Sequence, residues 1–217
     1  RSTLVAGIMV IALLAYALYY FLPRFTQSPS KLGRSVLVLP FDNLTSDTLD
    51  YFVDGMHDIL IGNVGKISAL RVLGRTTANT YKDTEKSISE IAKEREVNTL
   101  IKGAVLCIGD SICLQLKLLD QDGNEVWVQD FEVPSSQILN LYNTVTKVIS
   151  SELGVLLTSE EKRLLSKSRT VNREVYDAYL KSQFLGDLSL APINKAIEYL
   201  NLAIEKDPEW APLYSGL

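Results

Sequence analysis

Residues 35–44 of the chain read SVLVLPFDNL, an aliphatic run that a Pro-Phe-Asp-Asn turn closes. A run without polar alternation is typical of a strand that is buried on both faces of a sheet. Helical spacing follows, with apolar side chains four, three, one and four residues apart at Phe52, Met56, Ile59, Leu60 and Val64. The two segments predict a strand followed by an amphipathic helix.

The same alternation repeats once and then changes to a meander. A short strand is expected at Leu70–Gly74, and Ser87 and Glu90 have the capping-box spacing that opens a second helix. Short turns then join three further strands at Thr99–Cys107, Ile112–Leu119 and Glu125–Val133, before a last amphipathic helix from about Ser136 to Leu153. We therefore predict an α/β domain with a mixed sheet and helical cover.

Several motifs resemble the TolB-like amino-terminal domain and follow the order of that family. They are SVLVLPFDNL with Tyr51–Met56 (YFVDGM), Gly74–Thr77 with Tyr81 and Lys82, Ile101–Val105 (IKGAV), and Gln115 through Asp120, Gly123, Glu125 and Trp127. The resemblance implies a three-layer, mixed-sheet domain over residues 35–157. Lys102 departs from the acidic residue that is usual before this glycine, and Cys107 and Cys113 are not part of the pattern.

The rest of the chain after this domain has the texture of helix pairs. Residues 158–173 are expected to form a charged helical connector, which opens on capping-box spacing at Thr158 and Glu161, and residues 174–217 are similar to the start of tetratricopeptide (TPR) repeats. Small and apolar residues at helical spacing and a proline stop carry that similarity, and they are the residues expected to pack the repeat: Ala196, Leu200, Ala203, Pro208, Tyr214 and Leu217. An all-α segment that binds proteins is expected here.

The chain begins with an apolar segment. Residues 4–22 are almost wholly aliphatic or aromatic, which predicts a transmembrane helix within residues 1–23 and contact with a lipid bilayer. A basic juxtamembrane linker, residues 24–34, follows it. Charge alone leaves the orientation open, because the residues that would compete with this linker are not in the sequence.

Composition excludes several kinds of site. The 217 residues have 26 acidic and 22 basic side chains, a formal charge of −4, and one histidine. An acidic balance argues against nucleic-acid binding, and the single His57 leaves few metal or acid–base designs. The run Asp120–Glu125 predicts a hairpin turn and not a calcium loop, and no phosphate-binding loop is present. We expect no catalytic, cofactor-binding or metal-binding residues and no enzyme activity in this fragment.

Cys107 and Cys113 flank a turn and are the one candidate pair for a covalent link. A turn centred on Asp110 with a three-residue loop would place them directly opposite one another, whereas a two-residue turn would offset them by one. A disulfide is then feasible in an oxidising compartment, and two half-buried free thiols are the favoured alternative.

The resemblance implies a bacterial signalling protein. In similar proteins an output domain precedes the membrane helix, and the TolB-like and TPR parts lie in the periplasm. The chain is therefore expected to supply a membrane anchor and a sensory, protein-binding region to a one-component transcription regulator at the inner membrane. The alternatives are the ectodomain of a nucleotidyl cyclase or Ser/Thr kinase, and an envelope adaptor; a homodimer is left open.

Overall fold

The computed structural model describes residues 33–45, 49–184 and 190–216, which contain six strands of one mixed sheet. The strands are β1 (Ser35–Val38), β2 (Asp42–Asn43), β3 (Arg71–Val72), β4 (Thr99–Ile108), β5 (Ser111–Asp120) and β6 (Glu125–Pro134). Their order is β3-β1-β4-β5-β6, and β2 pairs with β4. β1 is parallel to β3 and β4, whereas β4, β5 and β6 are antiparallel. The predicted mixed sheet with a meander is confirmed.

Seven α-helices lie within the described residues. They are α1 (Asp50–Val64), α2 (Arg75–Asn79), α3 (Ile88–Arg95), α4 (Ile138–Glu152), α5 (Ser159–Leu165), α6 (Arg173–Phe184) and α7 (Leu190–Lys206). Two 3-10 turns, Ser135–Gln137 and Ala211–Gly216, precede α4 and follow α7.

Helices cover both faces of the sheet. Right-handed crossovers place α1 and α3 on opposite faces, and α4 packs beside α1. Phe41 lies against the α1 face, where its ring contacts His57 and sits over Gly103. A Cβ on Gly103 would lie 2.5 Å from that ring, so the close approach requires glycine. On the other face, the short helix α3 contacts β4, and most residues of β6 are exposed.

Both predicted capping boxes form. Ser87 Oγ accepts from the amide of Glu90, whose carboxylate accepts from the amide of Ser87 at 2.8 Å. Thr158 and Glu161 make the same reciprocal pair at the start of α5. These local signals fix the starts of α3 and α5, since side-chain oxygens satisfy amides that the helix itself leaves free.

Some boundaries differ from those expected. β1 ends at Val38 because Pro40 has no amide to continue a ladder, although the Leu39 amide still donates to the Ile101 carbonyl at 2.8 Å. The strand expected at Leu70–Gly74 is β3, which is only two residues long, Arg71–Val72. The helix α2 that follows it was not predicted.

The fold class needs one correction. Nowhere in the part of the chain that the structure describes does a helix combine the length and apolar character that a bilayer crossing requires. The segment predicted to be that helix, residues 4–22, lies outside the described residues, as do residues 24–32 of the linker. The fold of the described residues is therefore the α/β domain and the helical segment, without a transmembrane helix.

Candidate protein-interaction site

An aromatic cluster joins the helical segment to the α/β domain, and we call it the aromatic junction. It consists of Phe52 of α1, Tyr142 of α4, Tyr176 and Tyr179 of α6, and Trp210 after α7. Tyr176 meets Phe52 edge-on with centroids 5.6 Å apart and stacks on Trp210 at 6.2 Å. Trp210 also lies 5.0 Å from the Tyr179 ring. Ring contacts thus join α1, α6 and the turn after α7.

The hydroxyls of Tyr142 and Tyr176 form a buried hydrogen bond at the centre of this junction. Their oxygens are 2.6 Å apart, and both side chains are almost fully buried. Burial raises the pKa of both phenols, so each stays neutral at physiological pH. Each hydroxyl depends on the other, because an unpaired hydroxyl at this depth is costly.

Gly55 allows α6 to approach α1 closely. An added Cβ at this position would lie 2.7 Å from Cδ2 of Leu180, a side chain only 1% exposed. The same helix carries Gly62, where an added Cβ meets nothing within 4 Å. Gly55 therefore has a packing role that Gly62 does not share.

Polar contacts surround the junction. Tyr51 of α1 donates to Asp177 of α6, and burial together with this bond raises the pKa of the Tyr51 phenol. Lys181 pairs with Asp177 at 2.7 Å, and its ammonium lies over the rings of Tyr51 and Tyr199. These contacts fix the rotation of α6 against its neighbours.

A second polar contact holds the turn after α7. Arg169 donates to both carboxylate oxygens of Asp207, at 2.7 and 2.8 Å, and to the Glu209 carbonyl at 3.4 Å. Lys206 pairs with Glu174 at the start of α6. The connector before α6 and the end of α7 are therefore tied together.

The residues predicted to pack a repeat have different environments. Leu200 and Ala203 are buried on the inner face of α7, and Ala196 is half-buried. Pro208 and Tyr214 are exposed, and the Tyr214 hydroxyl donates to the Pro208 carbonyl at 2.8 Å. Leu217 lies outside the described residues. Whether the segment is a TPR remains a prediction.

Other residues singled out in the sequence have structural roles. His57 is buried, and its Nε2 donates to the Val38 carbonyl at 3.0 Å; burial lowers its pKa. Asp120 accepts from the amides of Asp122 and Asn124 and so closes the β5–β6 turn, where Gly123 has a φ of 87°. Lys102 pairs with Asp42 at 3.4 Å. Among the described residues, no three His, Cys, Asp or Glu side chains are grouped as metal ligands.

Cys107 and Cys113 are directly opposite in the β4–β5 register, as a turn centred on Asp110 requires. Their Sγ atoms are bonded, with the Cα atoms 4.8 Å apart. This geometry is that of the paired alternative and not of the free thiols that the sequence favoured. The bridge closes a short hairpin at the margin of the sheet.

The sheet has an uncovered face beyond α3, which we call the open face. It consists of Leu106 of β4, Lys117 of β5, and Val126, Val128 and Asp130 of β6. The two valines are 45% and 47% exposed, and Leu106 is 42% exposed. Isolated exposed apolar residues are ordinary, but three on one sheet face beside an edge strand are a candidate contact surface.

A polar cleft also opens beyond the carboxyl end of β1. It has a volume of about 390 Å³ and is lined by Asp42, Asn43, Asp50, Asp54 and Lys82, among others. Lys82 bridges to Asp54 at 2.9 Å, which neutralises part of the charge. No nucleophile paired with a base is among its lining residues.

The chain is similar to part of a longer protein. It is 28% identical over 194 residues to "Putative adenylate cyclase 3" of Rhizobium meliloti (strain 1021), a match that covers 88% of this chain and 33% of the relative. The chain thus spans about a third of the length of that protein. No family model matches the chain.

The solved structures to which the chain is similar include two bacterial proteins. Lipoprotein GNA1162 from Neisseria meningitidis matches 54% of this chain and 98% of its own, with 15% identity and a TM-score of 0.42. TolB from Acinetobacter baumannii matches 59% of this chain and 30% of its own, with 15% identity and a TM-score of 0.42. Neither structure bears on the TPR part of the resemblance or on a regulator.

The sequence did not single out Trp210 or the Tyr142–Tyr176 pair. The one sequence signal was the number of aromatic residues in the last 45 positions of a chain with only two tryptophans. What these aromatics contact depends on the tertiary fold.

Proposed function

We propose that this chain is a non-catalytic, protein-binding region that regulates a nucleotidyl cyclase domain elsewhere in the same protein. The observation that carries the proposal is the aromatic junction. It fixes the helical pair on α1 and α4, so a partner that binds the helices shifts the α/β domain with them. A loosely tethered segment would not transmit such a change.

The cyclase part of the proposal is supported by the relative from Rhizobium meliloti. Its match extends over most of this chain, from the α/β domain into the helical segment, but over a third of the relative. In our proposal, this chain accompanies a catalytic domain and is not that domain. The transcription-regulator interpretation has no comparable support.

The non-catalytic part is supported by how the buried polar groups are used. His57 is held by a main-chain carbonyl, Asp120 closes a turn, and Glu161 caps a helix. Tyr142 and Tyr176 satisfy each other. Each of these groups has a structural partner, and none is poised as a nucleophile or a general base.

The bridge between Cys107 and Cys113 supports an oxidising location. Disulfides persist in compartments such as the bacterial periplasm and are rare in a reducing cytoplasm. The proposal therefore places this region in the bacterial envelope.

Protein binding is assigned to the outer face of α7. Ile193 and Ile197, four residues apart, are 42% and 38% exposed there. Apolar side chains at this spacing form a contiguous stripe on a helix, which suits a partner helix.

The test uses the whole protein that contains this chain. Trp210→Ala removes a ring that two tyrosines contact, and Leu156→Ala alters a side chain that is 92% exposed. We expect Trp210→Ala to change the rate of cyclic nucleotide formation at unchanged protein level, and Leu156→Ala to leave that rate unaltered. Equal rates for both variants would contradict coupling through the junction. A whole protein without cyclase activity would instead favour the kinase or adaptor alternatives.

A further inference from the structure

A groove runs along the free edge of β6, between that strand and α4. It has a volume of about 390 Å³, and five consecutive residues of β6, 130–134, form one wall. The other wall consists of residues about one helical turn apart, Gln137, Asn140, Leu141 and Thr144. No other described strand pairs with the outer side of β6. A strand edge of this kind can bind an extended peptide through main-chain hydrogen bonds, while a groove beside it receives alternate side chains.

The edge of β6 is regular only along its second part. The β5–β6 register shifts between Leu118 and Leu119, which leaves Val126 without a partner residue in β5. A bulge of this kind protects the first part of the edge from pairing with another strand. From Trp127 to Pro134 the register is unbroken, and the groove lies within this part.

One hydrogen bond shows which main-chain groups of β6 face outwards. The Ser135 amide donates to the Asp110 carbonyl at 2.8 Å, which continues the β5–β6 register one residue beyond Pro134. In an antiparallel pair, residues that bond to the neighbouring strand alternate with residues whose amides and carbonyls face away from it. Counting back in steps of two from residue 135, Asp130 and Glu132 are the residues that direct their main-chain groups to the free edge.

The two faces of this part of the edge have different chemistry. Phe131 is buried and Val133 packs against the core, on the side of the sheet that α4 covers. Asp130 and Glu132 are exposed on the opposite face. Asp130 accepts from the side-chain amide of Gln115 at 2.8 Å, but neither carboxylate forms an ion pair with a described lysine or arginine. A strand that complements this edge is therefore apolar on the groove side and basic on the other.

We propose that the second part of β6 binds an extended segment of another protein, in which apolar and basic residues alternate, as an additional antiparallel strand. Its basic residues lie opposite Asp130 and Glu132, and its apolar residues lie opposite Phe131 and Val133, over the groove. An antiparallel strand continues the β4–β5–β6 meander, and parallel pairing is slightly less stable. This surface is separate from the outer face of α7, and the proposal does not depend on the cyclase function.

The antiparallel register also determines which amides of the bound strand are used. Residues directly opposite one another in a hydrogen-bonded pair exchange both main-chain bonds. The basic residues opposite Asp130 and Glu132 therefore direct their amides to β6, and the amides of the apolar residues point away from it.

Two labelled hexapeptides test the charge requirement on the 217-residue chain. The probes are Lys-Val-Lys-Val-Lys-Val and Glu-Val-Glu-Val-Glu-Val, capped at both ends, and fluorescence anisotropy measures their affinities. The lysine peptide should bind at least roughly tenfold more tightly than the glutamate peptide. Asp130→Lys combined with Glu132→Lys should reverse this preference. An absence of saturable binding of the lysine peptide up to about 1 mM protein would overturn the proposal.

Methylation of the peptide amides distinguishes strand pairing from simple charge attraction. N-methylation of the lysine residues removes the donors that face β6 and should abolish binding. N-methylation of the valine residues, whose amides face away, should leave the affinity of the lysine peptide unchanged. Equal affinities of the two methylated peptides would show that charge alone holds the peptide, and would contradict the added strand.

A tryptophan placed in the groove tests the position of the bound peptide. Thr144→Trp fills the groove from α4 and should abolish saturable binding of the lysine peptide. Ser151→Trp, at an exposed position of the same helix outside the groove, should leave the affinity unchanged. Circular dichroism of both variants controls for folding. Equal affinities of two folded variants would show that the peptide binds elsewhere.

Discussion

Gly55 provides a quantitative test of how α6 is seated on α1. A Cβ at this position would lie 2.7 Å from Leu180 Cδ2, whereas unstrained carbon contacts are about 3.5–4.0 Å. Leu180 is 1% exposed and cannot simply move into solvent. Gly55→Ala must therefore push the two helices apart or force a poor rotamer.

Two opposing terms set the magnitude. Overpacking a buried site costs about 1–3 kcal/mol, and replacing glycine by alanine inside a helix gains about 1 kcal/mol. Gly55→Ala should then lower the free energy of unfolding by about 0–2 kcal/mol. Gly62→Ala, in the same helix with open space around it, should raise that free energy by up to about 1 kcal/mol.

Urea unfolding of the 217-residue chain, followed by circular dichroism, measures both variants. Because the propensity gain is similar in the two, their difference of about 1–3 kcal/mol reports the clash alone. In a Leu180→Ala background the clash is gone, so Gly55→Ala should become as favourable as Gly62→Ala. Equal stabilisation by Gly55→Ala and Gly62→Ala in the native background would refute the seating of α6 on α1.

Three further predictions concern single contacts. Tyr176→Phe should cost about 1–3 kcal/mol in urea unfolding because it leaves the Tyr142 hydroxyl buried and unpaired, and adding Tyr142→Phe should recover part of that loss. Main-chain hydrogen bonds lower the pKa of Glu161 to about 2. The stability that this carboxylate contributes is therefore complete above its ordinary pKa of 4.5 and is lost as the pH falls from there towards 2. Glu161→Gln should flatten this part of the pH profile of the urea midpoint. Protein denatured without reductant should show no reactive thiol, and replacing both Cys107 and Cys113 by serine should cost at most roughly 2 kcal/mol because the closed loop is short; two reactive thiols would reject the bridge.

The parts of the fold that sequence predicted well depend on local patterns. The capping boxes at Ser87 and Thr158 need only four consecutive residues, and the position of the Cys107–Cys113 pair follows from one turn length. The strands of the meander alternate or run apolar over ten residues, which is enough to recognise them.

The parts that sequence missed depend on contacts between distant residues. β2 is two residues long and exists only because β4 offers an edge beside it. The Tyr142–Tyr176 bond joins residues 34 apart, and nothing local to either residue indicates it. Gly55 and Gly62 look alike in sequence, and only the position of Leu180 tells them apart. The aromatic junction was therefore out of reach, since its members belong to four separate elements.

The most direct test of the proposed function is to compare the turnover of ATP to cyclic AMP by the whole protein and by the 217-residue chain. We expect a cyclic product from the whole protein and none from the chain at equal concentration. Product formed by the chain itself would contradict a non-catalytic region, and an inactive whole protein would contradict the cyclase assignment.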